Sequence, residues 1–225
     1  MQSSGVTIFK KYNRLCLRAW KEEDVNPYAE LVGDPEVMKY ISNGIPRDTE
    51  TARREIENFS KEILEQGWSR WAVSVGEDGP FIGYAGFSKK PYGTDFGMRF
   101  LPQYWGNPHT YIACCLALEY GFEEIRFQEI RTITNKNHQR GLSFMKKLFS
   151  STPTEATLGT DEFKMYIISR DEYIEKEYAK NRIKMSEHES AWNRRTATKI
   201  KPQENDLRSA LATCFVPQLN GRSLA

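Results

Sequence analysis

The spacing of apolar residues changes several times along the chain, and each change marks an element. Leu15, Leu17 and Ala19 alternate with Cys16, Arg18 and Trp20, which predicts a strand. Asp24 stands where an N-cap is needed for a short helix carrying Val25, Tyr28, Leu31 and Val32. Asp34-Pro35 opens a second helix, with proline at its first position. After the breakers Asn43-Gly44-Ile45-Pro46, Asp48 or Thr49 starts the clearest amphipathic helix. Its stripe is Ala52, Ile56, Phe59, Ile63 and Leu64. Beyond Gly67 the period becomes two. Trp71, Val73 and Val75 form one strand face, Gly76-Glu77-Asp78-Gly79 turns, and 81–87 returns as a hairpin. A second turn over 89–94 leads to Phe96, Met98 and Phe100, and Pro102 ends that strand.

The loop Trp105-Gly106-Asn107-Pro108-His109 feeds a helix over 110–124 that is apolar nearly all round, the pattern of a buried helix. A strand at 129–134, a helix at 139–148 and a strand at 163–168 complete the order. Helices interleaved with hairpin-connected strands predict an α/β (α+β) fold with a mixed sheet, and fit neither a doubly wound parallel sheet nor a bundle. Residues 172–185 can be helical, whereas 186–225 lack sustained periodicity. Trp68, Trp71, Tyr84 and Phe87 read as core.

Composition narrows the function. The chain has 225 residues, 39% of them apolar and 12% aromatic, too rich for disorder. It has no apolar run long enough to span a membrane and no apolar stretch near the N-terminus of the kind a secretory signal needs. Thirty-two basic residues against 30 acidic ones argue against a protein that coats nucleic acid or anionic lipid. Residues 175–225 hold 10 basic and 6 acidic residues, including the run Arg194-Arg195-Thr196-Ala197-Thr198-Lys199-Ile200-Lys201. A solvated, charged extension open to a protein partner is the expectation, ahead of a basic tail that contacts RNA. Cys16, Cys114, Cys115 and Cys214 have no metal-ligand spacing, and adjacent cysteines on a helix point about 100° apart. No metal is expected. Reduced, buried thiols suit a cytoplasmic protein.

Candidate chemistry centres on residues 95–110. A strand that enters a buried helix through a glycine-containing loop points unpaired N–H groups and a helix dipole at one spot, which suits a phosphate or pyrophosphate. An ordinary strand-to-helix turn has the same pattern, so the surrounding order of elements matters. Arg14 to Trp20 with Glu23-Asp24, Asp34 to Ile41, Trp71-Ala72-Val73, Phe81-Ile82-Gly83 and Gly86-Phe87 follow one another. Asp95-Phe96-Gly97-Met98-Arg99-Phe100-Leu101-Pro102, then Tyr104-Trp105-Gly106, Phe122-Glu123-Glu124 and Tyr166 to Tyr173 continue the series. In this order they resemble the GNAT acetyltransferase superfamily, nearest to its ribosomal-protein N-terminal acetyltransferase branch, over about residues 7–174.

The resemblance implies a GNAT-like acyl-CoA-binding domain over 1–174, followed by a partly helical charged extension over 175–225. Its sheet would be mixed and mostly antiparallel, of six to seven strands, with helices on both faces. Acetyl-CoA would be the co-substrate, lying in a gap between the fourth and fifth core strands. The backbone of Met98, Arg99, Phe100 and Leu101 would hold the pantetheine arm. Gln103, Trp105, Gly106, Asn107, His109 and Thr110 would cradle the pyrophosphate, and Asn137 would reach the cofactor. Asp95 would be the base for an amine acceptor, either a protein N-terminus or a small amine, and a homodimer fits the family. An α-amino group needs only a modest base, because ~10–15% of it is neutral at pH 7 against about 0.04% of a lysine amine.

Two features depart from the family. Pro108 replaces the final small residue of the pyrophosphate loop and brings no N–H. His138 and Gly141 stand in the places of an Asn and a Ser. They favour an alternative in which the fold binds a partner without turnover.

Overall fold

A computed structural model describes residues 6–149 and 151–199. Eight strands form one sheet: β1 (Ile8–Tyr12), β2 (Leu15–Arg18), β3 (Arg70–Val75), β4 (Phe81–Lys90), β5 (Gly93–Phe100), β6 (Glu129–Asn135), β7 (Thr154–Leu158) and β8 (Asp161–Ser169). Their spatial order is β1-β2-β3-β4-β5-β6-β8-β7, with every neighbour antiparallel except the parallel pair β5 and β6. The mixed, mostly antiparallel sheet is as expected, but it has eight strands where six to seven were expected. The additional strands are the edges. β1 carries Lys10 and Lys11 and is half-buried, and β7 is largely exposed, so neither has an apolar face to read.

The helices are α1 (Val25–Gly33), α2 (Pro35–Met38), α3 (Thr49–Gln66), α4 (Pro108–Glu123), α5 (Gln139–Leu148), α6 (Arg170–Glu172) and, after a π-turn at Tyr173–Glu177, α7 (Tyr178–Lys199). Two cores sandwich the sheet. On one side α4 packs its apolar circumference against Trp71, Val73, Phe87, Phe96 and Phe100. On the other, α1 and α3 bury Tyr28, Leu31, Ile56 and Phe59 against Trp20, Phe81 and Tyr84. The alternation of β5 divides it between them. Phe96 and Phe100 face α4, so Asp95, Gly97 and Arg99 face α1 and α3.

The expected caps form at two of three sites. Asp34 accepts from the N–H groups of Glu36 and Val37 at 2.8 and 3.3 Å, and Asp48 accepts from Thr51 at 2.8 Å. Asp24 stands before α1 but makes no capping bond there. Its carboxylate turns back to Arg18, accepting from Nη1 and Nη2 at 2.6 and 2.8 Å and from the Lys21 N–H at 2.9 Å. Arg18 Nε also donates to Ser74 Oγ at 3.1 Å, so the ion pair ties β2 to β3. Leu64, placed in the apolar stripe by its spacing, is 86% exposed, because Ile63 takes the core-facing position and the next residue lies about 100° round the helix.

The first compact unit runs as far as Ser186. Tyr173, Glu177, Asn181 and Met185 are buried, and Tyr111 Oη lies 2.9 Å from Asn181 Oδ1, so the first turns of α7 belong to the first unit. Helix continues to Lys199, through residues whose apolar spacing shows no sustained period. Cys214 lies outside the described residues.

Candidate active site

β5 and β6 meet at one pair of residues, Asp95 and Arg131. Beyond it the two strands part, while β5 remains fully paired with β4 through Gly83 and Phe100. Two parallel strands that diverge leave unpaired backbone on both sides of the gap, which must be satisfied by water or by an inserted chain. A cavity of about 380 Å³ lies where the strands have parted, against Met98, Arg99 and Phe100 of β5 and facing residues 137–141 after β6.

The cavity brings seven of the expected residues together: Met98, Arg99, Phe100, Trp105, Gly106, Thr110 and Asn137. Leu101, Gln103, Asn107 and His109 do not line it. Leu101 is buried in the core under α1 and α3, and its N–H donates to Ile82 O of β4 at 3.0 Å, so its backbone belongs to the sheet. Asp95 stands at the apex of the gap rather than in the cavity, 8% exposed. Tyr92 Oη donates to its Oδ1 at 3.0 Å. Burial pushes the Asp95 carboxyl up to about 6, although the Tyr92 hydrogen bond and the charges of Arg70 and Lys90 pull the other way.

The loop after β5 shows why Pro108 is tolerated. It is the first residue of α4, where the missing N–H would be an orphan in any case. Asn107 is the N-cap, and its side chain accepts from the His109 N–H at 2.9 Å. The N–H groups of Tyr104, Trp105, Asn107 and Thr110 donate to carbonyls of Leu101, Pro102, Tyr104 and Asn107. Between Tyr104 and Thr110 this leaves the Gly106 N–H, at φ +74°, for an anion. A positive side chain offsets the loss: the Arg140 guanidinium carbon lies 4.6 Å from the Trp105 ring centre, at the wall of the cavity.

His138 and Gly141 form a unit. The His138 ring stacks on Tyr40 at 4.7 Å and 18°, joining α5 to the segment after α2. A Cβ on Gly141 would stand 2.5 Å from His138 Nδ1, so the glycine makes room for the imidazole. Burial and then the Arg140 charge lower the His138 pKa, which keeps the ring neutral near pH 7. Gly141→Ser is expected to push the ring off Tyr40. The measurement is the His138 ring proton resonances, which lose their upfield ring-current shift; unchanged resonances would refute the fit.

The Tyr40–His138 stack and the placement of Arg140 escaped the sequence reading, since they join residues far apart in the chain. The change of an expected Ser to Gly was the one signal that pointed to them.

Residues 14–148 match the acetyltransferase (GNAT) domain family, more than half of the chain. The chain belongs to the GNAT acetyltransferase family. Among curated proteins, this GNAT chain is 26% identical over 141 residues to the uncharacterised protein YkkB of Bacillus subtilis, covering 60% of the chain and 81% of YkkB. Among solved structures it superposes on a GNAT-family acetyltransferase from Bacillus anthracis with a TM-score of 0.59 at 20% identity, covering 72% of this chain and 98% of that one. A spermidine N-acetyltransferase from Vibrio cholerae, solved with CoA and spermine, superposes with a TM-score of 0.55 at 16% identity, covering 72% and 99%. The fold and the acetyltransferase class follow from the family. No helix among the described residues is long and apolar enough to cross a membrane.

Proposed function

We propose that the protein transfers an acetyl group from acetyl-CoA to a primary amine by direct attack. The observation that carries this reading is the gap between β5 and β6, which opens directly beyond Asp95 and is lined by Met98, Arg99 and Phe100. The residues present fit acetyl-CoA: the unpaired edge of β5 suits the amides of a pantetheine arm, and the Gly106 N–H, the start of α4 and Arg140 suit its diphosphate. The co-substrate supplies an activated acyl group as a thioester. In the reaction a C–N bond forms to the acyl carbon, the C–S bond breaks and CoA leaves as the thiolate. The proton lost by the amine passes to Asp95, through water, since Asp95 lies three residues from Met98, about 10 Å along the strand.

Calorimetry with CoA and acetyl-CoA tests this. Micromolar binding is expected, and release of CoA thiol in the presence of an amine. Absence of binding up to millimolar concentration would leave the second reading, a fold that binds a partner without turnover, which the consumed N–H groups of the loop favour. Pro108→Gly adds a donor at the start of α4 and is expected to tighten CoA binding by about tenfold or more. Unchanged affinity in that titration would place the diphosphate elsewhere.

A further inference from the structure

The face of the sheet that carries Asp95, Gly97 and Arg99 holds an unusual charge arrangement. Arg99 of β5 lines the cavity, and its guanidinium carbon lies 5.6 Å from the Tyr84 ring centre. Arg70 of β3 reaches the same ring at 5.8 Å. Its guanidinium lies across Gly97, where a Cβ would come within 3.3 and 3.4 Å of Nε and Nη2, so a larger residue at 97 would displace it. Arg47, before α3, is the third. Its pKa is lowered first by burial and next by the charge of Arg99, which shows how closely the cations crowd.

The carboxylates on this face are already engaged. Glu55 pairs with Arg47 and accepts from Tyr28 Oη at 2.7 Å. Asp95 accepts from Tyr92. Arg70 Nη2 donates to Ser88 Oγ at 3.0 Å, but Arg70 Nε and Arg99 Nη1 are buried and have no hydrogen-bond partner. At the cavity rim Glu36 and Lys39 offset one another. Arg99 lines the cavity and Arg70 lies behind it on the same face, so a guanidinium that does not deprotonate stands at the cavity with an unanswered N–H and a second such cation beside it, a standing demand for an acceptor. Planar N–H forks match an oxyanion in geometry as well as charge. The same excess of positive charge repels a polyamine.

Building on the transferase reading, we propose that the acceptor amine also carries an oxyanion, in the simplest case a carboxylate, held by Arg99 at the cavity, with Arg70 adding positive charge from behind it on the α1 and α3 side of the gap. The acceptor is then a small amino acid or a close relative rather than a polyamine. Its amine is directed toward the apex of the gap and its carboxylate toward Tyr84.

The test uses the full chain with acetyl-CoA and three sets of acceptors: the twenty amino acids, their α-amides and spermidine, with thiol release as the readout. At least one amino acid is expected to exceed its amide tenfold or more in kcat/KM. Arg99→Gln and Arg70→Gln are each expected to lower kcat/KM for that acid by about 10- to 100-fold, with the loss for its amide at least threefold smaller in the same variant. In Arg70→Gln, which lies outside the cavity lining, the calorimetric Kd for CoA should stay within threefold of the wild-type value. Equal use of amides, preference for spermidine, or no acid that is either acetylated or bound saturably by the CoA-loaded protein would overturn the anion subsite alone. A wild-type chain that binds no CoA would overturn both this proposal and the reading beneath it.

Discussion

Asp95→Asn is expected to lower kcat by about a hundredfold or more while raising the melting temperature. The first effect follows from the proposed role, since general bases contribute about 10²–10⁴-fold. The second follows from burial. The carboxyl titrates at about 6 in the folded chain, against about 3.9 in an unfolded one, so folding favours its protonated form. The sign follows directly. In the window between about pH 4 and 6 the folded state binds more protons than the unfolded state. Stability therefore falls as pH rises through that window, and the full penalty stands above pH 6. Two pKa units correspond to about 3 kcal/mol, and an asparagine, which never ionises, escapes that cost while still accepting from Tyr92. For a domain of this size the gain is about 6–12 °C at pH 7–8. In the wild type, kcat/KM should decline below about pH 6, and that limb should vanish in the variant. A variant with full activity would remove Asp95 from the chemistry, and one that melts lower would contradict the burial argument.

Asp24→Ala is expected to have the opposite character: a large loss of stability at a distance from the cavity. Its side chain and that of Arg18 are 4% and 1% exposed. Truncating the acid leaves a guanidinium buried with Ser74 Oγ and the Ala19 carbonyl but no counter-charge. Breaking a buried pair in this way costs about 3–5 kcal/mol, or about 6–20 °C in melting temperature. Replacing both partners, as Arg18→Met with Asp24→Leu, should recover most of the loss, because an apolar pair carries no desolvation penalty. Thermal melts of the single and double variants decide it. A single variant within 2 °C of wild type would show the pair to be dispensable.

The contrast between these residues shows what the sequence could reveal. Both aspartates lie in stretches that resemble the family, and the strands and helices around them were readable because burial on one face imposes a period. α3, β3 and β5 show it, whereas β4 and α4 are buried nearly all round and read as apolar runs bounded by breakers. β1 and β7 do not, because edge strands bury too little. At the site, residues of the loop after β5 were legible as one contiguous motif. Arg70 was not, since its place beside Arg99 depends on the alignment of Gly86 with both Arg70 and Gly97 across three strands. The stack of His138 on Tyr40 depends on two loops meeting. Asp24 carried the composition of a cap, but a nearby guanidinium competes for the same oxygens more strongly than a backbone N–H.

The lone bridge between Asp95 and Arg131 makes the sheet behave as two leaves, one running from β1 to β5 and the other comprising β6, β8 and β7. Between them the backbone ladder contributes almost nothing, so the rings of Phe96 on β5, Phe149 after α5 and Tyr166 on β8, which meet in succession, carry the join. A molecule seated there acts as the absent rung, and its binding energy is shared between recognition and the stiffening of one leaf against the other.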